Sequence, residues 1–464
     1  MTALVIVAPL LGAALVFAAP RSRLGLAFGS AFAAAGVALA AAIALFARGG
    51  EARITRDWIE GIPVRLALET DGLAVVHLLL VTLVVPAALA AALRVRSTRR
   101  RSFAALALVF EGLLALAFTA RDLVLFYGVW ELAAVVLFFA IALARGREHV
   151  RVAQRLVLFS SFGSLPLLVA LLYLRRRLGG DGIPLDLEHL ASVRLTLKEQ
   201  WLGGIAFGLA FAAKLGVFPL HRWTIAVARG AAPAIPVLLA AGWFALGIYG
   251  ALRFATPLFP DALAAARPLL VALALAGLWF SALRTLYALD RPRLYADLQS
   301  AWMALALLGL VTGTEAGEAG AVLASLVAAL GGAIARLVDG VPGPGARARV
   351  LLRRVAAAGF LALPGLGGFA AWLLVLRGAA EESTLTAALL GGAGIAATWG
   401  ALGRHRERGE STEDEATGVA GSRFGPDLVA ALILAAALFG LGLMPAAVVD
   451  RLETTRTVAA GGSR

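Results

Sequence analysis

The sequence has no cysteine. That removes disulfides, thiolate metal sites and cysteine-held iron–sulfur clusters. Charge is scarce as well: 15% of residues are Asp, Glu, Lys or Arg, against about 25% in soluble domains. Lysine is almost missing, since Lys198 and Lys214 are the only lysines among 42 Lys and Arg. No glycine-rich dinucleotide fingerprint stands at a strand–helix junction. Electron transfer within this chain is therefore excluded, and no cofactor or metal is expected.

What is present in quantity is apolar sequence. Of 464 residues 61% are hydrophobic, and the mean hydropathy is +0.87. A transmembrane helix takes about 20 apolar residues, so fourteen would use about 280, nearly the whole apolar content. A soluble enzyme, a disordered tail protein and a nucleic-acid binder are all ruled out. The net charge of +13 fits the basic bias of cytoplasmic loops better than a nucleic-acid partner. The fold class is all-α, a polytopic membrane protein lying in a lipid bilayer.

Apolar runs fall near 3–19, 25–47, 73–93, 102–120, 122–144, 153–174, 201–220, 233–252, 268–288, 295–313, 319–338, 350–376, 384–402 and 427–447. This predicts about fourteen spans, rich in the Ala and Gly that let helices approach closely in lipid. The first run has no basic residues before it, and Arg21 and Arg23 follow it. That reads as a first span entering with its N-terminus outside, not as a cleaved signal peptide. Loops after odd-numbered spans are the more basic, including Arg94, Arg96, Arg99, Arg100, Arg101, Arg347, Arg349, Arg353 and Arg354. The positive-inside rule then puts both termini outside. Arg175, Arg176 and Arg177 are the exception.

Three loops stand out. Residues 48–71 alternate apolar and polar positions around Trp58 and Pro63, which predicts a short hairpin on the outer surface. Residues 175–200 have room for a short surface helix. Residues 404–425 mix Arg404, Arg406 and Arg408 with Glu410, Glu413, Asp414 and Glu415 and read as a solvated cytoplasmic loop.

Ionisable residues inside apolar runs are the informative ones, because each costs several kcal/mol in lipid. They are Glu111, Glu131, Lys214 and His77. Lys214 is singular because the chain writes Arg almost everywhere else. Arg does not deprotonate inside a protein, whereas a buried Lys does. A lysine in this place suits a proton relay as well as it suits a structural ion pair with Glu131. Gly216 and Pro219 follow it and are expected to break the helix, either as a hydrated discontinuity or as a simple kink. His77 reads most simply as a core histidine bonded to a neighbour. Two acids and one base in adjacent helices would suit a short proton path. His221 is either a gate or an interfacial residue, the second being the simpler reading.

Several segments resemble a known family. "DLVLFYGVWELAAVVLFFAIA" resembles the fifth helix of the antiporter-like membrane subunits of respiratory complex I, and "FGLAFAAKLGVFPLHRW" their seventh. "GIYGALRF" resembles the end of their eighth helix, "LALPGLGGFAAWLLVL" their broken twelfth, and "LETDGLAVVHLLLVTLVVPAALAA" the start of their third. The resemblance runs from about 60 to 445 and is strongest to the M-type subunit. The same superfamily includes subunits of Mrp cation/proton antiporters, membrane hydrogenases and inorganic-carbon uptake complexes.

The resemblance implies two inverted five-helix repeats with broken helices 7 and 12, the second broken at Pro364 and Gly365. The divisions so implied are 1–100, helices 1–3 with the outer loop 48–71; 101–253, helices 4–8; 254–402, helices 9–13; and 403–464, the cytoplasmic loop, helix 14 and the tail. It implies proton translocation within a complex I-type NADH:quinone oxidoreductase, in the inner (plasma) membrane, beside other membrane subunits of a complex I-like or Mrp-like assembly. "Oxidoreductase" would describe that complex and not this polypeptide. In the family a line of charged midplane residues carries protons. Glu131 matches its helix-five glutamate and Lys214 its helix-seven lysine, with Glu111, His221 and His77 as further relay candidates. The central lysine falls on Ala245, two histidines fall on Trp302 and Ala328, and the exit residue falls on Trp372. Alanine carries no proton, and tryptophan donates without titrating. Only the intake half of the path is therefore expected. The alternatives are a degenerate structural paralogue, or a membrane subunit of a cation/proton antiporter or inorganic-carbon uptake complex.

Overall fold

The computed structural model describes residues 1–20, 22–50, 53–59, 62–94, 99–144, 146–178, 184–192, 194–339, 346–381, 389, 392 and 425–461. Side chains within 57–64 and 454–461, among others, are outside that description. Helices dominate because lipid leaves every backbone polar group to be satisfied within its own segment.

The chain opens with α1 (Thr2–Ala18) and α2 (Leu24–Arg48), then the hairpin β1 (Arg53–Ile59) and β2 (Ile62–Glu69). There follow α3 (Gly72–Arg94), α4 (Arg100–Thr119), α5 (Leu123–Ala142), α6 (Arg147–Arg177) and the short α7 (Leu187–Ser192). Next come α8 (Leu197–Leu215), α9 (Arg222–Gly230), α10 (Ala234–Ala240), α11 (Ala245–Gly250), a π-helical turn (Ala251–Ala255) and α12 (Thr256–Leu258). The second part has α13 (Pro260–Leu286), α14 (Arg291–Thr312), α15 (Glu315–Val338), α16 (Ala346–Phe360) and α17 (Gly367–Glu381). Beyond the described gap stand α18 (Pro426–Leu443) and α19 (Ala446–Gly461).

Among the described residues, ten helices are long and apolar enough to cross a membrane. Together with the shorter α1 and the two interrupted helices, they account for every predicted span except 384–402. That run, the loop 404–425 and Arg96 lie outside the described residues, apart from positions 389 and 392. Burial sorts the spans into layers. The apolar window of α15 is 94% buried inside the protein, whereas those of α2 and α13 are 33% buried. The core therefore runs along α15, α3 and the segment 234–258, and α2, α6 and α13 present leucine and phenylalanine outward, including Leu158, Phe162 and Leu269.

Local chemistry sets the helix starts. Asp122 caps α5 by accepting from the N–H groups of Val124 and Leu125. Thr196 and Glu199 form a reciprocal capping box at α8. Asp290 and Thr314 cap α14 and α15. Each side chain satisfies an N–H that has no partner within the helix.

The hairpin forms where the sequence alternation places it, as an antiparallel pair running from Arg53↔Glu69 to Ile59↔Ile62. It docks on the α4–α5 corner: the Arg121 N–H donates to Ala67 O at 2.8 Å, and Arg121 also pairs with Glu69. Arg65 reaches Asp186 at 3.4 Å, next to α7, the short helix expected in 175–200. The C-terminal α19 continues past the last predicted span and packs on α3. Gly72 permits this, because a Cβ there would stand 1.7 Å from the Arg451 carbonyl oxygen.

Candidate functional site: a buried lysine at a helix break

The predicted seventh span is two helices. α8 ends at Gly216, whose φ of +62° is a left-handed conformation that glycine adopts without a Cβ clash. Pro219 lies in the break and has no N–H to continue the ladder. The chain resumes as α9 at Arg222. The twelfth span is interrupted the same way between α16 and α17. Pro364 and Gly365 (φ +88°) lie in that gap together with Ala362 (φ +51°). A third interruption, between α10 and α11, was not expected. It centres on Gly242 and delivers Trp243 and Phe244 to the core.

Lys214 occupies the last turn of α8 and is 1% exposed. Its Nζ donates to Ser160 Oγ at 3.2 Å. It lies 3.4 Å from the ring centroid of Trp243 and 4.3 Å from that of Trp130. Desolvated cation–π contacts of this kind contribute about 2 kcal/mol, and the C-terminal end of α8 also favours a cation. Among the described residues no carboxylate lies within 4.0 Å of the amine. Glu131 is the acid whose charge acts on it, but the two do not form an ion pair. One Glu131 carboxylate oxygen is buried without a hydrogen-bond partner.

The other candidates divide around this centre. Glu111, on α4, is fully buried with neither carboxylate oxygen hydrogen-bonded. His77 holds Leu73 O at 2.8 Å through Nδ1, which fixes the proton on that nitrogen and leaves Nε2 an unpartnered acceptor. Its ring packs against Phe118 and Tyr249 at 4.8 and 5.4 Å. Tyr249, Phe126 and Trp130 then form an aromatic row leading to Lys214, with successive centroids 6.2 and 5.6 Å apart. No hydrogen bond or ion pair joins His77 or Glu111 to Lys214.

His221 is buried at the break, and its Nε2 accepts from Arg284 at 2.7 Å. Its packing against Phe218 and Phe280 removes it from solvent. Arg284 in turn pairs with Asp297 at 3.2 Å. Arg284 and Asp297 were missed in the sequence, as was the pair of Arg253 with Asp71, where Nη2 meets Oδ1 at 2.7 Å. The signal was present for Asp297, a charge inside the apolar run 295–313 and so under the criterion that singled out Lys214, whereas Arg253 stands one residue past the run 233–252. Trp130 and Trp243 carried no such signal, since an aromatic in an apolar helix looks like packing.

The positions where the resemblance lacks charge are packed. Ala245 and Ala328 are buried among apolar neighbours. Trp302 is 3% exposed and its Nε1 donates to Phe360 O at 3.3 Å. Trp372 is partly buried against the core.

A many-helix membrane bundle with interrupted helices, one of them ending at a buried amine, defines a class, and comparison with known proteins shows what it resembles. A family model described as NADH:quinone oxidoreductase/Mrp antiporter, TM, matches residues 120–332. That stretch contains Glu131, Lys214, the first break and Asp297. NAD(P)H-quinone oxidoreductase chain 4 1 of Microcystis aeruginosa is 30% identical over 341 residues, 70% of this chain and 64% of that protein. The chain 4 1 protein of Synechococcus elongatus is 31% identical over 337 residues, 69% of this chain and 62% of that one. The matched region thus spans less than two thirds of these relatives' length. A chain of respiratory complex I from Thermus thermophilus superposes with a TM-score of 0.82 at 28% identity, covering 98% of both chains. A chain of the Mrp complex from Dietzia sp. shares the fold, with a TM-score of 0.80 at 18% identity over 97% of this chain and 96% of that one. Over residues 120–332 the chain carries the transmembrane domain of the NADH:quinone oxidoreductase/Mrp antiporter family, and over its whole length it is similar to these complex I and Mrp membrane chains.

Proposed function

We propose that this chain moves protons as one membrane subunit of a complex I-type NADH:quinone oxidoreductase. Lys214 would be its exchanging group and Glu131 the acid that biases it. The observation that carries this reading is the setting of Lys214: a buried amine at a helix break, held by two indole faces and one hydroxyl, with no carboxylate in contact. An amine with no fixed counter-ion is free to exchange between charged and neutral forms as a neighbouring charge approaches or withdraws. The breaks at 216–221 and 361–366 expose backbone groups of the sort that line hydrated cavities in transporters. Glu111, His77 and His221 are further relay candidates. The reading includes the divisions 1–100, 101–253, 254–402 and 403–464, a plasma-membrane location and both termini outside.

The test is Lys214→Ala in the assembled complex. Proton translocation attributable to this subunit should be lost while the yield of complex is unchanged. Unchanged proton pumping per electron would end the proposal. Mass spectrometry of the subunits retained in mild detergent identifies the complex: quinone- and NADH-module subunits support this assignment, and antiporter subunits without redox partners oppose it.

A second reading, a structural paralogue that holds its neighbours together, is favoured by the apolar packing at Ala245, Trp302 and Ala328. It expects Lys214→Ala to reduce assembly more than flux.

A further inference from the structure

Away from Lys214 the bundle holds a small pocket between α9, α10, α14 and α15. Its wall includes Trp223, Thr224, Pro236, Leu239, Gln299 and Arg336. Two of these polar groups are already engaged: Trp223 Nε1 donates to Ala213 O at 3.0 Å, and the Thr224 hydroxyl to His221 O at 2.7 Å. Gln299 is different. It is 1% exposed, and neither its Oε1 nor its Nε2 has a hydrogen-bond partner. Arg336 Nη1 is also buried and unpartnered. The two side chains end at one spot, because a Cβ on Gly332 would stand 2.7 Å from Arg336 Nη1 and 2.9 Å from Gln299 Oε1.

The charge around this spot is positive. Among the described residues no carboxylate lies within 4.0 Å of Arg336, and the acids nearby are engaged by other arginines. Asp339 meets Arg291 at 3.1 Å and Arg353 at 3.2 Å, and it bonds the Tyr295 phenol. Asp297 meets Arg284 and Arg293 at 3.2 and 3.7 Å, and Asp290 meets Arg229 at 2.8 Å. A guanidinium nitrogen and a primary amide left without partners inside a membrane bundle are costly. One bound negative ion relieves both by accepting from Arg336 Nη1 and, with the Gln299 amide turned so that Nε2 rather than Oε1 faces the spot, from that N–H.

We propose that Gln299 and Arg336 bind a small inorganic anion, a halide or monovalent oxyanion, in the pocket kept open by Gly332. The test uses the full chain, purified in mild detergent with whatever subunits remain attached. Thermal unfolding is followed as chloride replaces gluconate at constant ionic strength. A ligand that binds only the folded form raises Tm with its concentration, so the wild type should gain stability in proportion to site occupancy.

Gln299→Leu should weaken the apparent chloride affinity about tenfold or more, the equivalent of one charge-assisted hydrogen bond. Arg336→Gln should abolish the chloride response. Gly332→Ala fills the spot without altering charge and suits a helix interior, so it should abolish the response while folding normally. It decides the matter if Arg336→Gln fails to assemble. Replacing chloride by bromide should give an anomalous-scattering peak between Gln299 and Arg336. Equal Tm in chloride and gluconate, or a chloride response that survives Gln299→Leu and Gly332→Ala, overturns the proposal.

Discussion

Lys214 and Asp297 are both ionisable, both 1% exposed and both on helices of the same bundle, yet only Asp297 has counter-ions. Asp297 is met by Arg284 and Arg293, and farther along the same stretch Asp339 is met by Arg291 and Arg353. Within 101–253, Glu111 has no hydrogen-bond partner, Glu131 leaves one oxygen bare, and Lys214 leans on rings and a hydroxyl. A buried ion matched by its opposite holds helices in register, and its loss leaves an uncompensated charge. A buried ion left unmatched is a standing cost, and in a membrane such a cost marks function. Lys214 and Asp297 therefore stand for two kinds of buried charge, one available to move and one that holds the bundle together.

That contrast can be broken in order of expected effect. Replacing Lys214 with Leu should remove all proton translocation attributable to the subunit and leave thermal stability equal or higher. A sharp fall in Tm would class Lys214 with the structural charges. Asp297→Leu should do the reverse by stranding Arg284 and Arg293, a loss of about 3–5 kcal/mol. Thermal unfolding in detergent reads this directly, and an unchanged Tm would erase the distinction. Glu111→Leu should stabilise the protein by about 1–3 kcal/mol, because it removes two buried acceptors that have no donors. A destabilised Glu111→Leu would mean that the carboxyl has a partner in the native membrane.

The smallest effect lies at the N-cap of α5. Burial, with the nearby Asp186 charge adding to it, pushes the Asp122 carboxyl from 3.8 up to about 6, against the N–H groups it caps. The folded state then binds the proton more tightly than the unfolded chain does. Its contribution to stability is fully present at low pH and is lost as pH rises from about 4 to about 6. Asp122→Asn keeps the cap and should flatten stability across that window; a slope identical to wild type would assign it to another group.

The spans were legible because lipid imposes one simple demand, an apolar run of sufficient length, and the sequence meets it again and again. The hairpin was legible from alternation between 48 and 71, and the breaks from Gly216, Pro219, Pro364 and Gly365. The interruption at 241–244 was not, since one glycine in an apolar run is equally consistent with close helix packing. The surroundings of His221 were not legible, because its position after the break says nothing of Phe218, Phe280 and Arg284 closing over it. The site was legible as residue types, a lone lysine and an acid in apolar helices, but not as contacts. Trp130 and Trp243 come from helices far apart in the sequence, and no local pattern announces that both face one amine.

The sequence by itself therefore determined the solvent of this protein, its approximate number of spans and where backbone continuity fails. These follow from hydropathy and from residue-level limits on backbone conformation. Only the tertiary structure decided which buried charges have partners. Ion pairing depends on distances of a few ångströms between helices that the chain connects through long detours. The packing of α5, α6, α8 and the 234–258 segment brings a hydroxyl and two indole faces to Lys214, and the packing of α13 against α14 brings Arg284 to Asp297.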